Sequence, residues 1–325
     1  MTDPFVTVVI RSYQRIPQML ELLAAVRRQV YPRFEILVIE QTQGGRTAYQ
    51  NELDAARTDP RVRILEYPPL GPAGARNEAL RQANGDVLLF MDDDDLPVGT
   101  GWLAAHAANY ADPLCMAVTG REIWSLDEDS APHESETNYR LCLRYTWLRM
   151  PRGRMRHTRR VVGVEAVRGG NASLRRGTIE RAGGWDDERF GEEHSLDFRF
   201  ARCRRPGEYF VFDPTAVHLR RLDIAGGSER RLVSAEGALR AELSYSHRVV
   251  RRYFPGRFYL CYPAYLWLGF RRAYDHLAEF GEQVSALRRV WSLLGVYPRV
   301  LAEVWRGAWG VTRRPIPGKT GVRRA

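Results

Sequence analysis

Lysine is almost missing from this chain: of 325 residues only Lys319 is lysine, although Lys and Arg together number 49 against 39 Asp and Glu. The net charge of +10 is therefore carried by arginine, scattered along the whole length rather than gathered in a run. Charge spread in that way is weak evidence for a polyanionic partner. Cysteine is scarce too, and Cys115, Cys142, Cys203 and Cys261 form no CxxC pair. Their spacing argues against a zinc site and leaves four free thiols of a reducing compartment as the expectation. Long apolar runs are absent. The best of them, Phe258–Phe270, falls short of the roughly 20 residues a spanning helix needs. Residues 1–10 pass straight from a polar start into Val6–Ile10, so no secretory leader is expected. The expected location is the cytoplasm, soluble or peripheral at the inner face of the membrane. Also lacking is a GxGxxG fingerprint, since Gly71-Pro72-Ala73-Gly74 does not supply one, and this argues against a dinucleotide cofactor.

What is present is a hydrophobic fraction of 44%, ample for a large core. Over the first 125 residues short β-branched runs alternate with amphipathic stretches, the pattern of βαβ units around a mostly parallel sheet flanked by helices. Strands are expected at Val6–Ile10, Glu35–Ile39, Val62–Leu65, Val87–Met91 and Ala117–Ile123, with helices at Pro17–Gln29 and Gly74–Asn84. Residues 125–157 lose this pattern and read as a surface excursion. It resumes with Val161–Val167, a turn at Gly169-Gly170-Asn171, helices near Thr178 and Ser195, and strands at Phe210–Phe212 and Ala216–Leu219. Beyond Ser228 three helical stretches follow, Leu232–Phe254, Tyr265–Phe280 and Val284–Trp305, and then a Pro, Gly and Arg rich tail. The expected organisation is a catalytic domain over 1–230 with halves 1–125 and 126–230, a helical extension over 231–311, and a disordered tail over 312–325.

In open α/β sheets ligands bind beyond the carboxyl ends of the strands. There stands the quartet Asp92-Asp93-Asp94-Asp95, directly after the apolar run Val87–Met91. Four adjacent carboxylates at the end of a buried strand repel one another unless a cation neutralises them, and a hard divalent ion carrying a diphosphate would do so. The competing reading is a solvated turn capping a helix that starts near Pro97. Its place after a hydrophobic strand favours the cation.

The order of motifs resembles glycosyltransferase family 2, a group of inverting enzymes with the GT-A fold, from about Phe5 to Gly227. The resemblance implies a Rossmann-like sheet, a nucleotide diphosphate sugar as donor substrate, and Mn2+ or Mg2+ as cofactor. Val8-Val9-Ile10-Arg11-Ser12-Tyr13-Gln14-Arg15 is similar to the family's opening strand and turn, with Arg11 for Pro and Gln14 for Asn, and implies Ser12, Tyr13 and Arg15 at the nucleotide. Glu40-Gln41 stands where the family has an Asp-Asp pair, so Glu40 is either a contact to the base or merely a polar strand end. Gly74-Ala75-Arg76-Asn77 resembles the Ala-Arg-Asn motif and implies Arg76 and Asn77 near the anionic donor. The quartet is similar to Asp-x-Asp-Asp, with Asp92 and Asp93 on the donor side and Asp94 on the metal. A frame shifted by one would select Asp93 and Asp95.

Further along, Gly170-Asn171 resembles an acceptor-side turn, and Gly183-Gly184-Trp185-Asp186 the segment after it, where Trp185 is either a sugar platform or core packing. Gly191-Glu192-Glu193-His194-Ser195-Leu196-Asp197-Phe198-Arg199 is similar to Glu-Asp-x-x-Leu-x-x-Arg. Glu193 falls at the general base, with Glu192 in reserve; an acidic first helical turn explains either residue taken alone. His218, after Asp213-Pro214-Thr215, and the loop Ile224–Ser228 resemble the segment that reaches the metal and closes over the diphosphate. The implied reaction is glycosyl transfer to a saccharide, lipid-linked or small-molecule acceptor, in polysaccharide, glycolipid or glycoconjugate synthesis. No nucleic acid partner is expected; peripheral membrane contact through the C-terminal helices is. Two rivals remain: a basic nucleic-acid-binding protein, which leaves the quartet unexplained, and a metal-dependent phosphohydrolase, which gives Asn171 and Glu192-Glu193 no role.

Overall fold

The computed structural model describes residues 3–126, 143–152, 158–186, 192–221, 234–280 and 284–309. They form two compact units: one contains residues up to Thr146 and Pro151–Leu222, the other Trp147–Met150 and the helices beyond residue 233.

In the first unit β1 (Val6–Ser12), β2 (Phe34–Glu40), β3 (Val62–Glu66) and β4 (Val87–Asp92) are parallel, in the order β3-β2-β1-β4. β2 is buried throughout and β1 at every position but Arg11. Parallel strands covered on both faces must be apolar on both, which is why these runs do not alternate with polar residues. Val6, Val8 and Ile10 enter one core with Ile16, Met19, Leu22, Leu23 and Val26 of α1 (Ile16–Arg27), while Val9 enters the opposite core with Ala73, Ala75 and Ala79 of α3 (Gly71–Gln82). Between β2 and β3 lies α2 (Gln50–Arg57). α3 begins three residues earlier than its periodicity predicts, because Pro72 fits the first helical turn and Gly71 takes the positive φ of 71° that precedes it.

Past β4 the sheet becomes mixed. It continues through β10 (Asn171–Arg175), β6 (Cys115–Ile123), β11 (Tyr209–Arg220) and β5 (Asp95–Pro97), with β9 (Val161–Val164) on β11. β7 (Arg144–Tyr145) and β8 (Pro151–Arg152) make a separate pair. The helices α4 (Trp102–Ala108), α5 (Arg176–Ala182) and α6 (Glu192–Cys203) complete this unit. One connection determines its shape. β4 and β5 stand four places apart in strand order, roughly 19 Å in a flat sheet at about 4.8 Å per strand, yet Asp92 and Asp95 are three residues apart and span at most about 11 Å. The sheet therefore curls until its far edge returns to the end of β4.

This connection also overturns the capping alternative for the quartet. Pro97 ends a strand, and the next helix starts only at Trp102. The two strands expected at Phe210–Phe212 and Ala216–Leu219 are one, interrupted by an irregularity between Asp213 and Val217. The turn expected at Gly169-Gly170-Asn171 stops at Gly170, since Asn171 already pairs with Met91 on β4.

In the second unit α7 (Ala235–Ser244), capped by Ser234 Oγ accepting from the Gly237 N–H, packs with α9 (Tyr262–Phe280) and α10 (Ala286–Trp309) around Leu239, Leu243, Ala273, Leu277, Leu293, Val300 and Val304. A π-helical stretch, Tyr245–Val250, extends α7 toward α8 (Pro255–Leu260). There His247 is enclosed edge-on by Phe258, Tyr262 and Trp305. The loop 224–228 and the tail from 312 lie outside the described residues.

Candidate functional site

The curl of the sheet brings the quartet and His218 together. Asp92 closes β4, Asp93 and Asp94 form the turn, and Asp95 opens β5 against Arg220 of β11, two residues past His218. Oxygens of Asp92, Asp94 and Asp95 lie within 4.8 Å of one another. Asp93 does not join them: it is buried and accepts from Arg15 Nη1 at 3.1 Å, the same nitrogen that reaches Asp94 at 2.8 Å. These are the three acid positions of the Asp-x-Asp-Asp frame that begins at Asp92, and Asp93, its variable position, turns away to Arg15.

The charges are arranged unequally. Burial, reinforced by Asp92, Asp94 and Glu122, raises the Asp95 carboxyl well above the usual range. Burial also pushes Asp93 up to about 7, with Asp94 and Asp92 adding to it and Arg15 opposing. Burial would raise Asp92 as well, but Arg11 and Arg76 outweigh it and hold that carboxyl low. Arg11 pairs with Asp92 directly, so the arginine at the position where the family has proline has a partner in the acidic cluster.

His218 is 1% exposed, and its Nδ1 lies 3.0 Å from the carbonyl oxygen of Arg121. A carbonyl only accepts, so Nδ1 carries the proton. Burial lowers the pKa of His218 and favours the neutral ring, which leaves the bare Nε2 3.5 Å from Asp95 Oδ2. Two lone pairs facing each other require a proton or a cation between them. A carbonyl that holds the far nitrogen of a histidine is the usual support of a metal ligand, and three carboxylates with one imidazole suit Mn2+ or Mg2+. The residues present therefore fit the implied metal.

A second charged group adjoins the first. Arg76, 1% exposed, donates from Nη1 to Glu192 Oε1 at 2.6 Å and from Nη2 to Glu193 Oε1 at 2.8 Å. Its position was expected to face the donor; instead it ties α3 to the first turn of α6. Burial raises Glu192 and Arg76 opposes it. Of the two acids Glu193 is the more open, with 25% of its side chain exposed against 13% for Glu192. Asn77 likewise acts as a tether, donating to the Trp185 carbonyl at 2.8 Å and accepting from the Trp185 N–H at 2.9 Å. Trp185 is 5% exposed and meets Phe90 edge-on at 5.1 Å, so it is core and not a sugar platform.

On the other flank, Ser12 and Glu40 end their strands side by side. Ser12 Oγ is buried without a hydrogen-bond partner among the described residues. Glu40, fully buried, accepts from the Thr42 N–H at 2.6 Å and from Arg46 Nε at 2.7 Å. Tyr13 next to them is 53% exposed.

Asn171 corrects another expectation. It is fully buried, and its Oδ1 accepts from Trp102 Nε1 and His106 Nε2, each at 2.8 Å, while Nδ2 donates to the Ala216 carbonyl at 2.9 Å. It holds β10, α4 and β11 together rather than facing an acceptor. His106 Nδ1 then accepts from Ser173 Oγ at 2.9 Å, and Ser173 in turn accepts from Tyr110 Oη at 2.9 Å, which satisfies this buried polar chain. What lies nearest the acids is the glycine pair before Asn171: a Cβ on Gly170 would come within 3.3 Å of Asp95 Oδ2 and 3.4 Å of Asp92 Oδ2, and one on Gly169 would meet Arg76 and Glu193.

Comparison with known proteins gives this geometry a context. Residues 7–182 match the family described as "Glycosyl transferase family 2". The matched stretch ends before α6 and β11, which carry Glu192, Glu193 and His218. An uncharacterized glycosyltransferase of Rickettsia conorii is 35% identical over 97 residues, 30% of this chain and 16% of that protein. The UDP-Glc:alpha-D-GlcNAc-diphosphoundecaprenol beta-1,3-glucosyltransferase WfgD of Escherichia coli is 31% identical over 106 residues, 32% of this chain and 38% of that protein. The chain thus spans well under two thirds of these relatives. Among solved structures, the mannosyltransferase PcManGT from Pyrobaculum calidifontis, in complex with GDP-Man and Mn2+, aligns over 97% of this chain and 83% of its own with a TM-score of 0.57 at 18% identity. GalNAc-T7 with UDP, GalNAc and Mn2+ aligns over 76% of this chain and 50% of its own with a TM-score of 0.54 at 14% identity. Both likenesses concern the fold.

Proposed function

The chain belongs to glycosyltransferase family 2, and on that premise we propose that it is an inverting, metal-dependent enzyme moving a sugar from a nucleotide diphosphate sugar to an acceptor hydroxyl. The observation that carries this reading is the meeting of Asp92, Asp94, Asp95 and the bare Nε2 of His218, one glycine turn away from Glu193. Asp92, Asp94, Asp95 and His218 would hold Mn2+ or Mg2+. When bound, the ion supplies positive charge toward the departing diphosphate. Ser12, Tyr13, Arg15 and Glu40 are the nucleotide side, where the unpartnered Ser12 Oγ and the buried Glu40 offer polar groups beside one another. Asp93 contributes there through Arg15.

Glu193 takes the proton of the acceptor hydroxyl as that oxygen attacks the anomeric carbon, and one in-line displacement inverts the configuration. Arg76 holds Glu193 in place from behind, and Glu192, the more enclosed acid, shares that arginine. The acceptor reading is a saccharide or lipid-linked chain in polysaccharide or glycolipid synthesis. The second unit supports a lipid-linked one: Leu287, Trp291 and Leu294 of α10 recur at helical spacing and are 66%, 66% and 47% exposed, with exposed Arg288 beside them. Such a stripe suits the surface of an anionic membrane. Among the described residues no helix is long and apolar enough to cross one.

The test is thermal stabilisation of metal-stripped protein by UDP, GDP and dTDP, each with and without Mn2+, repeated with Asp94→Ala. One nucleotide should stabilise, require Mn2+ and lose its effect in the variant. Stabilisation by no nucleotide under any metal condition would overturn the donor site.

A further inference from the structure

We infer that Gly169 is a positioning residue for Glu193: the side chain it lacks is what lets Arg76 and Glu193 close on each other beside the acidic cluster. The inference rests on the reading of Glu193 as the base and adds what sets its place. An ideal Cβ on Gly169 would lie closer to both Arg76 Nη2 and Glu193 Oε1 than any real Cβ approaches such atoms, and 3.0 Å from Arg76 Cζ. It would stand inside the ion pair. Backbone conformation does not demand glycine here, because Gly169 is not one of the described glycines with positive φ. Space alone demands it.

The turn cannot withdraw to make room. Just before it the Val167 N–H donates to Asp197 Oδ1 at 3.0 Å and the Arg168 N–H to Thr119 Oγ1 at 3.3 Å. Just after it Asn171 is held by three elements of the core, α4, β6 and β11. Asp197, which also accepts from Tyr145 Oη at 2.7 Å, lies one turn along α6 from Glu193. The same helix thus anchors the loop and presents the acid, so an added methyl must be absorbed at the Arg76–Glu193 contact, whose atoms are the free ends of long side chains. Gly170 differs: a Cβ there would need its acidic neighbours to give by only a few tenths of an ångström. The two glycines face different halves of the site, one the base and the other the metal-binding acids.

The experiment is a double-mutant cycle of Gly169→Ala and Glu193→Asp, with Glu193→Gln run alongside. Shortening residue 193 by one methylene withdraws one of the two side chains that the alanine methyl would meet and leaves the guanidinium of Arg76 room to shift. G169A should retain the Mn2+-dependent nucleotide stabilisation and lose on the order of 10²-fold in kcat, the cost of a misplacement near 1 Å. Adding E193D should recover about tenfold of that loss, and the unfolding midpoints of the four proteins should be non-additive in the same direction. Wild-type turnover of G169A with an inactive E193Q would overturn the inference and leave the base intact. Turnover by E193Q at the wild-type rate would instead remove the base reading. Non-additive midpoints would then still support Gly169 as the residue that spaces the pair, and additive midpoints would overturn that as well.

Discussion

Arg76→Met removes the buried cation that Glu192 and Glu193 share. Methionine approximates the length of the stem and packs where the guanidinium lay, so the loss is electrostatic more than steric. Arg76 makes two charge-assisted hydrogen bonds, at 2.6 and 2.8 Å, and its charge also acts on Asp92. Removing one partner of a buried pair costs about 3–5 kcal/mol, and two such bonds at roughly 1.5–3 kcal/mol each give the same range. For a unit of this size that lowers the unfolding midpoint by roughly 6–20 °C, taking about 2–4 °C per kcal/mol. The deficit must also depend on pH. Burial already raises Glu192 and Arg76 opposes it, so without the arginine the folded-state pKa rises further above the unfolded value. A group raised in this way contributes fully below its unfolded pKa and loses that contribution as pH rises toward the folded value. The variant should therefore lie closest to wild type near pH 5 and furthest near pH 8. Thermal unfolding of both proteins from pH 5 to 8 reads this directly; a deficit under about 1 kcal/mol, or one that does not change with pH, would refute the reasoning.

Asp93→Asn should preserve the Mn2+-dependent nucleotide stabilisation that Asp95→Ala abolishes, because Asp93 lies outside the cluster of carboxylate oxygens and an asparagine oxygen there can still accept from Arg15; equal losses would restore the shifted frame. Burial depresses His106 to about 4, so its contribution to stability is present above its unfolded pKa near 6.5 and falls away as pH drops toward 4, by roughly 3 kcal/mol at most. Unfolding of His106→Gln should lack that part of the acid slope, and an unchanged slope would remove His106 as its source. Replacing Leu287, Trp291 and Leu294 together by Gln should reduce co-sedimentation with phosphatidylglycerol vesicles at least about tenfold, since each apolar side chain buried contributes about 1.5–3 kcal/mol; equal sedimentation of the two proteins would dismiss the membrane face.

Much of the first unit was legible because its strands are buried on both faces. Val6–Ile10, Glu35–Ile39 and Val87–Met91 announce themselves as apolar runs and reappear inside β1, β2 and β4. The acidic quartet was legible for the same reason: carboxylates directly after such a run are anomalous. Of the three readings left open by composition and motif, the family match decides for the transferase over the nucleic-acid binder and the phosphohydrolase. The motif reading faltered where one residue type serves two purposes. Asn171 and Asn77 looked like ligand-side polar groups, yet their amides satisfy buried backbone and ring N–H groups, a need invisible until the neighbours are known.

The sequence by itself determined which segments are buried strands, where the acids cluster and to which family the motif order points, because these follow from local periodicity and adjacency. Tertiary structure alone decided that Asp93 turns to Arg15 while the other three acids gather beside His218. The curl from β4 back to β5 selects Asp92, Asp94 and Asp95 and delivers His218 to them from more than a hundred residues away. It is likewise the packing of α3 against α6 that turns Arg76 from a donor-facing cation into the partner of Glu192 and Glu193. Distance along the chain carries no information about such meetings; they depend on how a twisted sheet closes.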